Sequence, residues 1–476
     1  MARRYDLVVV GMGSGGMVAA ELAASLPLRV AVVERERVGG ECLWTGCVPS
    51  KALLASARVA HTVRTADRYG ISVEGSEIDT AAVWRRIKAV QESIATTDDD
   101  PRRYEALGIE LVRGEGRLLD AHTVAVGDRR LTTRFVLLCT GSHPSTVPIE
   151  GLVDARFLTN ETVFDVERPP RSITMIGGGP IAIELAQGLN RLGVEVAVLE
   201  RSPAVLGRDE PELASILVAQ LRHEGVRIHT GVDIERVTVE GGRKVVHGVE
   251  GGAGRRWDSE ELFMAVGRRP NTEGLDLHRV GVETTPQGIV VDDRMRTSAP
   301  SIYAAGDVTG GHLFTHSAGH EAVRAVRDMF FPGRGRVSSL VPWCTFTDPE
   351  LAHVGMTGTE ALAEHGADVT VHRLDLTHSD RARADGHPEG RVVAVTVGDR
   401  LVGAHVLAPA AGEMIHELAL AIDAGMKLSR LASLIHVYPT YATSVGQLAA
   451  EAAFAGARRF AWTVRAGRLV DALLRR

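Results

Sequence analysis

The pattern of apolar and polar positions occurs twice along the chain. The same order of elements is found in residues 5–35 (YDLVVVGMGSGGMVAAELAASLPLRVAVVER) and in residues 171–201 (RSITMIGGGPIAIELAQGLNRLGVEVAVLER). Each begins with an apolar run typical of a buried strand, turns at glycines into a stretch with alanine and leucine at helical spacing, and ends in a second apolar run. Buried strands that alternate with helices predict an α/β fold with parallel sheets.

The two repeats carry matching residues at a constant offset of 166 positions. The matched pairs are Gly11 and Gly177, Gly13 and Gly179, Gly16 and Ala182, and Glu34 and Glu200. In a dinucleotide-binding unit the first glycine forms a tight turn, the second lets the backbone approach a pyrophosphate, and the third position must be small so that helix and strand can touch. The pyrophosphate rests on the helix N-terminus, and the glutamate accepts hydrogen bonds from ribose hydroxyls. The sequence therefore predicts two bound dinucleotides.

Composition narrows the class of protein. The 476 residues are enough for about two to four domains, and the net charge of −6 gives no support for a nucleic-acid partner. No apolar run reaches the ~18–20 residues of a membrane span, and the N-terminus shows no signal-peptide pattern. Four cysteines in such a length do not make a structural disulfide framework. These features predict a cytoplasmic enzyme.

Two of the four cysteines lie close together in GGECLWTGCVPSK, residues 39–51. In a regular helix the Cα atoms of Cys42 and Cys47 would be about 8.6 Å apart, beyond the ~4.4–6.8 Å that a disulfide tolerates. The two residues can form a disulfide only if the segment is distorted, and Gly46 and Pro49 provide the means. A strained, accessible disulfide is a reactive one. The alternative is two unrelated, small, buried cysteines.

Lysine is rare in this chain. Only four lysines, one of them Lys51, stand among 54 basic residues, so arginine is the usual cation. A lysine directly after the cysteine pair indicates a position that needs a compact ammonium group rather than a planar guanidinium. The alternative is a surface lysine without a special role.

A family resemblance is carried by the glycine turn, the cysteine pair and the second repeat, and by four further segments. These segments are LLCTGSHP (137–144), MAVGRRPNT (264–272), TSAPSIYAAGDVTG (297–310) and VPWCTFTDPELAHVG (341–355). Together they resemble the flavin-dependent pyridine nucleotide–disulfide oxidoreductases, which include lipoamide dehydrogenase, glutathione reductase and mercuric reductase. The WTG between the cysteines is most similar to mercuric-reductase-like members.

The resemblance implies an α/β architecture of two Rossmann-like dinucleotide-binding domains plus a C-terminal α+β dimerisation domain. It places FAD on residues 1–150 and 270–338 and NAD(P)H on residues 151–269. Residues 340–476 would form the interface of a homodimer. It further implies that two electrons pass from NAD(P)H to FAD, then to a disulfide, and then to a small-molecule acceptor.

The resemblance also implies roles for single residues. Cys47 would lie under the flavin and Cys42 would face the substrate, with Lys51 and Glu184 as an ion pair beside the flavin. The residues expected to contact FAD are Gly11, Gly13, Gly15, Gly16, Glu34, Gly40, Lys51, Gly116, Thr140, Gly141, Asp307 (on the ribitol) and Thr315. Those expected to contact NAD(P)H are Gly177, Gly179, Ala182, Glu200, Arg201 and Gly267. No metal site is expected.

The nucleotide preference is predicted to be for NADH. Glu200 can accept a hydrogen bond from the adenosine 2′-hydroxyl and would repel a 2′-phosphate. Arg201 and Ala182 favour NADPH instead.

One departure from the family pattern concerns proton transfer. The family's thiol reductases carry a C-terminal His-Pro with a glutamate five residues after the histidine, whereas LIHVYPTYATSVGQ has Tyr438 and Thr443 at these places. A phenol with a pKa near ~10 is a poor base at neutral pH. Reduction of lipoamide-like or glutathione-like disulfides is therefore not expected, and the acceptor stays open among a disulfide, a metal ion and another small electrophile.

Other interpretations remain at this point. The alternatives are a quinone or diaphorase-type reductase that uses the flavin alone, a lipoamide dehydrogenase, and a non-catalytic NADH sensor. The basic stretch 454–476 (FAGARRFAWTVRAGRLVDALLRR) is expected to be a helix packed on the interface domain, with contact to a membrane surface as the alternative.

Overall fold

The computed structural model describes residues 4–75, 77–333 and 335–458. The chain forms two compact units. The first comprises the chain up to Val205 together with Glu224–Ser339, and the second comprises Leu206–His223 together with the chain from Leu340. Most of the basic stretch 454–476, namely residues 459–476, lies outside the described residues, and so does the expectation attached to it.

The strands are numbered through both units, and the first eighteen of them lie in the first unit. In chain order they are β1 (Arg4–Val10), β2 (Val30–Glu34), β3 (Glu110–Arg113), β4 (Gly116–Asp120), β5 (Thr123–Val126), β6 (Arg129–Leu138), β7 (Ser142–Pro144), β8 (Ser172–Ile176), β9 (Glu195–Glu200), β10 (Arg227–Thr230), β11 (Val232–Glu240), β12 (Arg243–Glu250), β13 (Ala253–Ser259), β14 (Glu261–Met264), β15 (Arg268–Pro270), β16 (Thr284–Thr285), β17 (Gly288–Ile289), β18 (Ile302–Ala304), β19 (Trp343–Thr345), β20 (Glu350–Gly355), β21 (Val369–Asp375), β22 (Arg391–Val397) and β23 (Arg400–Ala408).

The α-helices are α1 (Ser14–Ala24), α2 (Gly40–Trp44), α3 (Cys47–Arg64), α4 (Thr80–Ala95), α5 (Pro101–Ala106), α6 (Leu152–Ala155), α7 (Pro180–Arg191), α8 (Pro211–His223), α9 (Thr315–Phe330), α10 (Gly358–His365), α11 (Asp380–Ala384), α12 (Ala411–Asp423), α13 (Leu428–Leu431) and α14 (Thr443–Arg458). Single 3₁₀ turns lie at Ala66–Tyr69, Leu277–Val280, Asp307–Thr309, Gly366–Asp368 and Leu376–His378. Within the described part of the chain, no helix has both the length and the apolar character needed to cross a membrane.

Two sheets of the first unit contain the repeated pattern. The first has the order β3-β2-β1-β6-β5-β4, with β18 beside β6, and its strands β3, β2, β1, β6 and β18 run parallel. The second is the parallel sheet β10-β9-β8-β14. In both, the first strand of the repeat lies in the interior of the sheet, and its apolar run is buried on both faces. The predicted α/β fold with two dinucleotide-binding sheets is present.

The first glycine of each repeat is required by close backbone packing. Gly11 and Gly177 have φ angles of 98° and 107°. A Cβ atom on Gly11 would lie 2.3 Å from the carbonyl oxygen of Cys139, and one on Gly177 would lie 2.3 Å from that of Ala265. The third position differs between the repeats, because a Cβ on Gly16 would come within 2.0 Å of the Gly11 oxygen whereas the methyl group of Ala182 is fully buried.

The second unit is built on the antiparallel sheet β19-β20-β23-β22-β21. One face of this sheet packs on α12 and α14 through a continuous apolar core. The other face carries a row of aromatic and imidazole rings, Trp343, His353 and His405, on adjacent strands. Trp343 stacks on His353 with ring centroids 3.6 Å apart, and its indole Nε1 donates to Asp209 Oδ1 at 2.9 Å.

These contacts explain a difference from the expected domain boundaries. Residues 206–223 were expected within the NAD(P) segment 151–269, but they group with the C-terminal unit. Besides the Asp209 contact, Glu210 accepts from the Gly358 amide at 2.9 Å, and Glu212 pairs with the Arg373 guanidinium at 2.8 Å. Burial raises the pKa of Asp209 to about 6, against the opposing effects of Trp343 and Arg208.

Candidate active site

The cysteine pair lies at a break between two helices. Helix α2 ends at Trp44 and α3 begins at Cys47, so Thr45 and Gly46 interrupt the helical path. A Cβ on Gly46 would lie 3.0 Å from the Glu41 carbonyl oxygen and 3.5 Å from the Cys42 Cα, so this turn is too tight for a side chain to be added without displacement. The predicted distortion is located at Gly46. Pro49 lies in the first turn of α3, where a missing amide hydrogen disturbs no helical bond.

The two cysteines carry free thiols of unequal acidity. The interaction with the Cys42 thiol is the main reason why the pKa of Cys47 is lowered to about 6. The Thr315 hydroxyl, 3.6 Å from the Cys47 sulfur, and the Lys51 ammonium lower it further, while burial opposes them. The same contact, with burial, raises the pKa of Cys42. Of the two sulfurs, Cys47 is therefore the one that ionises more readily.

Lys51 forms the ion pair that was expected with Glu184. The Lys51 Nζ lies 2.8 Å from Glu184 Oε2, and the side chains are 37% and 7% exposed. Lys51 follows Cys47 by one turn of α3, and Glu184 lies in α7, the helix of the second repeat. The ammonium group thus pairs with a buried carboxylate and also lowers the pKa of the Cys47 thiol.

The glutamates of the two repeats hold their own glycine turns. Glu34 accepts hydrogen bonds from the backbone amides of Met12 at 2.6 Å and Glu36 at 2.7 Å. At the offset of 166 positions, Glu200 accepts from Gly178 at 2.6 Å and Ser202 at 2.7 Å. The expected role of both carboxylates toward ribose stays a prediction.

The start of each repeat helix fits a phosphate group. Helices α1 and α7 begin after Gly13 and Gly179, with no side-chain cap and no acidic residue in the first turn. Amide hydrogens at such an end bind anions. A Cβ on Gly40 would lie 2.6 Å from the Gly13 Cα, and a Cβ on Gly179 would meet open space. The residues present therefore fit the two expected dinucleotides.

The other residues that were predicted to contact FAD also lie in the first unit. Gly15 packs on α9, where a Cβ would lie 3.2 Å from the Ala318 carbonyl oxygen, and Gly116 begins β4. Thr140 and Gly141 are joined to Asn271 by hydrogen bonds of 2.7 to 2.9 Å.

Asp307 and Gly267 lie on the segments that leave the two sheets. Asp307 accepts from the Ser142 hydroxyl at 2.6 Å, and the Gly267 carbonyl accepts from the Ser145 amide at 2.9 Å. Arg201 is exposed beyond the end of β9.

Tyr438 belongs to the second unit, and the partner of its hydroxyl lies outside the LIHVYPTYATSVGQ segment. Its hydroxyl donates to Asp380 Oδ2 at 2.8 Å, and this bond raises the pKa of Tyr438. Thr443, at the place of the family glutamate, bonds instead to Thr440 and to the Val437 carbonyl. Asp380 was missed because it lies 58 residues away in the chain and belongs to no motif.

Comparison with known proteins identifies the family. Residues 5–327 match the family model of the pyridine nucleotide-disulphide oxidoreductases, and residues 341–449 match the dimerisation domain of the same proteins. The chain belongs to the pyridine nucleotide-disulphide oxidoreductase family. It is 33% identical over 446 residues to a mercuric reductase of Bacillus cereus, which covers 92% of this chain and 70% of the relative.

Two further proteins extend the comparison. A dihydrolipoyl dehydrogenase of Bacillus subtilis is 32% identical over 469 residues, covering 94% of this chain and 98% of the relative. The Cu(II) complex of the HOCl-induced flavoprotein disulfide reductase RclA from Escherichia coli superposes with a TM-score of 0.84 at 26% identity, over 94% of this chain and 99% of RclA. These findings confirm the predicted family and fold class, an FAD-dependent oxidoreductase that uses NAD(P)H, and the presence of a dimerisation domain.

Replacing Lys51 by methionine should raise the pKa of Cys47, because it removes the cation nearest the thiolate. An opposite charge at this range shifts a pKa by about one to three units, and we expect about one because hydrogen bonds also contribute. The measurement is the pH dependence of Cys47 alkylation by iodoacetamide in the reduced protein, followed by peptide mapping. Lys88→Met, which removes a lysine paired with Asp165, serves as the control. An unchanged midpoint in Lys51→Met would contradict the assignment.

Proposed function

We propose that this enzyme passes two electrons from NAD(P)H, by way of FAD, to a Cys42–Cys47 disulfide and on to an acceptor that needs no base from the protein. The observation that carries this proposal is the unequal acidity of the two sulfurs beside the Lys51–Glu184 pair. When bound, FAD supplies hydride acceptance from NAD(P)H and two-electron delivery to the disulfide.

The residues around the cysteines stabilise one product of disulfide cleavage. The S–S bond takes up two electrons and one proton and gives one thiolate and one thiol. The Thr315 hydroxyl, the Lys51 ammonium and the start of α3 hold the negative charge on Cys47. Cys42 is the sulfur that exchanges with the acceptor: it attacks as a thiolate after its proton passes to the Cys47 sulfur, and this proton is released to solvent when Cys47 closes the disulfide again.

The acceptor proposed is a metal ion or another small electrophile rather than a lipoamide-like or glutathione-like disulfide. A disulfide acceptor leaves as a thiol and requires proton transfer. Tyr438 stands at the family position for that task, and its hydrogen bond to Asp380 raises its pKa, so the phenol can donate a hydrogen bond but cannot take up a proton at neutral pH. The named relatives include both mercuric reductases and dihydrolipoyl dehydrogenases, and they leave the acceptor open.

We also propose a homodimer that works in the cytoplasm. The match of residues 341–449 to the dimerisation domain supports the assembly. Light scattering of the purified protein tests it, and an active monomer would contradict it.

The function is tested first by Cys42→Ser. We expect this variant to lose turnover with Hg²⁺ and with small disulfides, while NADH still bleaches the flavin at the normal rate in an anaerobic stopped-flow experiment. Cys344→Ser, which removes a cysteine of the second unit, is the control. Full turnover of Cys42→Ser with a quinone would favour the alternative in which flavin alone reduces the acceptor.

For the nucleotide, we propose NADH as the preferred donor, since Glu200 would repel a 2′-phosphate. Glu200→Gln removes the charge and keeps an acceptor oxygen, so the ratio of kcat/KM for NADH over NADPH should fall by roughly tenfold, about 1.4 kcal/mol. Glu195→Gln, at the other end of β9, is the matched control. A wild-type ratio in favour of NADPH would reverse the proposal.

A proton-transfer pair can be restored by Tyr438→His with Thr443→Glu. Imidazole near its usual pKa of ~6.5 exchanges protons at neutral pH, and a neighbouring carboxylate orients it. A positioned acid–base contributes ~10²–10⁴-fold, and an imperfectly held one should raise turnover of lipoamide or glutathione disulfide about tenfold. Reduction of the flavin by NADH should not change. Efficient disulfide reduction by the wild type would show that another group already transfers this proton.

A further inference from the structure

A partly buried polar cluster lies beside the turn that carries Cys42. Its centre is Glu41, whose Oε1 accepts from the Asn160 amide at 2.6 Å and whose Oε2 accepts from the Arg268 guanidinium. Arg268 is 10% exposed; its Nε donates to the Ser142 hydroxyl at 2.7 Å and lies 3.6 Å from Asp307 Oδ2. No step of the mechanism above uses Glu41.

The partners of Glu41 are fixed to the sheet of the second repeat. Asn160 follows Leu158, whose amide donates to Leu262 at 2.8 Å and whose carbonyl accepts from Met264 at 2.8 Å, so this segment lies along β14. Arg268 begins β15, shortly after β14 ends. One carboxylate therefore joins the cysteine turn to the segments that enter and leave that sheet.

The Glu41 backbone belongs to the cysteine turn itself. Its carbonyl accepts from the Thr45 amide at 2.9 Å and packs against Gly46, and Cys42 is the next residue. Because α2 spans only Gly40–Trp44, a displacement of the Glu41 side chain moves Cys42 with it.

The charges of the cluster do not balance. Two carboxylates, Glu41 and Asp307, face the single guanidinium of Arg268, and Glu161 adds a third negative charge nearby. Burial, which Arg268 and Asn160 oppose and Asp307 and Glu161 reinforce, raises the pKa of Glu41 to about 7. The strength with which Glu41 holds Arg268 thus changes across the neutral range.

We propose that Glu41 is a positioning residue for thiol exchange: its charged carboxylate, held between Asn160 and Arg268, fixes the turn that presents the Cys42 sulfur to the acceptor. The inference rests on the proposed function, because it assumes that Cys42 is the exchanging thiol. When Glu41 is protonated, its ionic attraction to Arg268 is lost and Arg268 stays paired with Asp307. The turn is then held less firmly.

The test uses the reaction of the dithiol protein, reduced chemically and freed of reductant, with 5,5′-dithiobis(2-nitrobenzoate). One dithiol and one probe give the protein disulfide and two nitrothiobenzoate ions, so no nucleotide is needed. The wild-type rate should rise about tenfold through a step near pH 7, in addition to a step near pH 6 from Cys47. Glu41→Gln should lack the step near pH 7 and react about tenfold more slowly at pH 8. Glu36→Gln, an exposed carboxylate on the same segment, should match the wild type.

Each outcome of this experiment either supports or contradicts the role proposed for Glu41. A purely structural role would lower the rate equally at every pH and would also slow flavin reduction by NADH, which we expect to stay within twofold. A step near pH 7 that persists in Glu41→Gln overturns the inference. If Glu41→Gln fails to fold, Asn160→Ala decides, because it should lower the rate above pH 7 and leave the rate at pH 6 unchanged. Should Cys42→Ser still turn over the acceptor, the proposed function fails, whatever Glu41 does.

Discussion

The ion pair between Lys51 and Glu184 is the interaction on which the arrangement of the first unit depends. Glu184 is nearly buried on α7, and a buried carboxylate without a partner is strongly unfavourable. Lys51 provides that partner from α3. One turn after Glu184, a Cβ on Gly188 would come within 3.2 Å of Leu53 and Leu54, so the two helices approach closely along the same line. The helix that begins at Cys47 is thereby held against the helix of the second repeat.

The difference between the two sulfurs follows from this placement. Cys42 and Cys47 are the same residue type, five positions apart, and the chain gives them different surroundings. Cys47 lies at a helix start, beside an ammonium group and a hydroxyl, whereas Cys42 lies in a short turn tied to Glu41. One sulfur is therefore suited to hold negative charge, and the other is the one that we propose exchanges with the acceptor.

Local pattern was enough to predict the repeats, their glycine turns and the cysteine segment, because each is determined by neighbours in the sequence. The partners that come from distant segments were not predictable in this way. Asp380 for Tyr438 and Arg268 for Glu41 are brought together only by packing of the whole unit. The grouping of residues 206–223 with the C-terminal sheet has the same origin, since Asp209 contacts a tryptophan 134 positions away.

The spacing of Cys47 and Lys51 on one helix limits how the chain can change in length. Four residues advance a helix by about 6 Å and return to nearly the same face. One inserted residue between them would turn Lys51 by about 100°, away from Glu184, and would break its ion pair with this buried carboxylate. Between Arg64 and Thr80, where α3 has ended and α4 has not begun, an insertion changes neither position. Length variation among related chains is therefore expected in the second segment and not in the first.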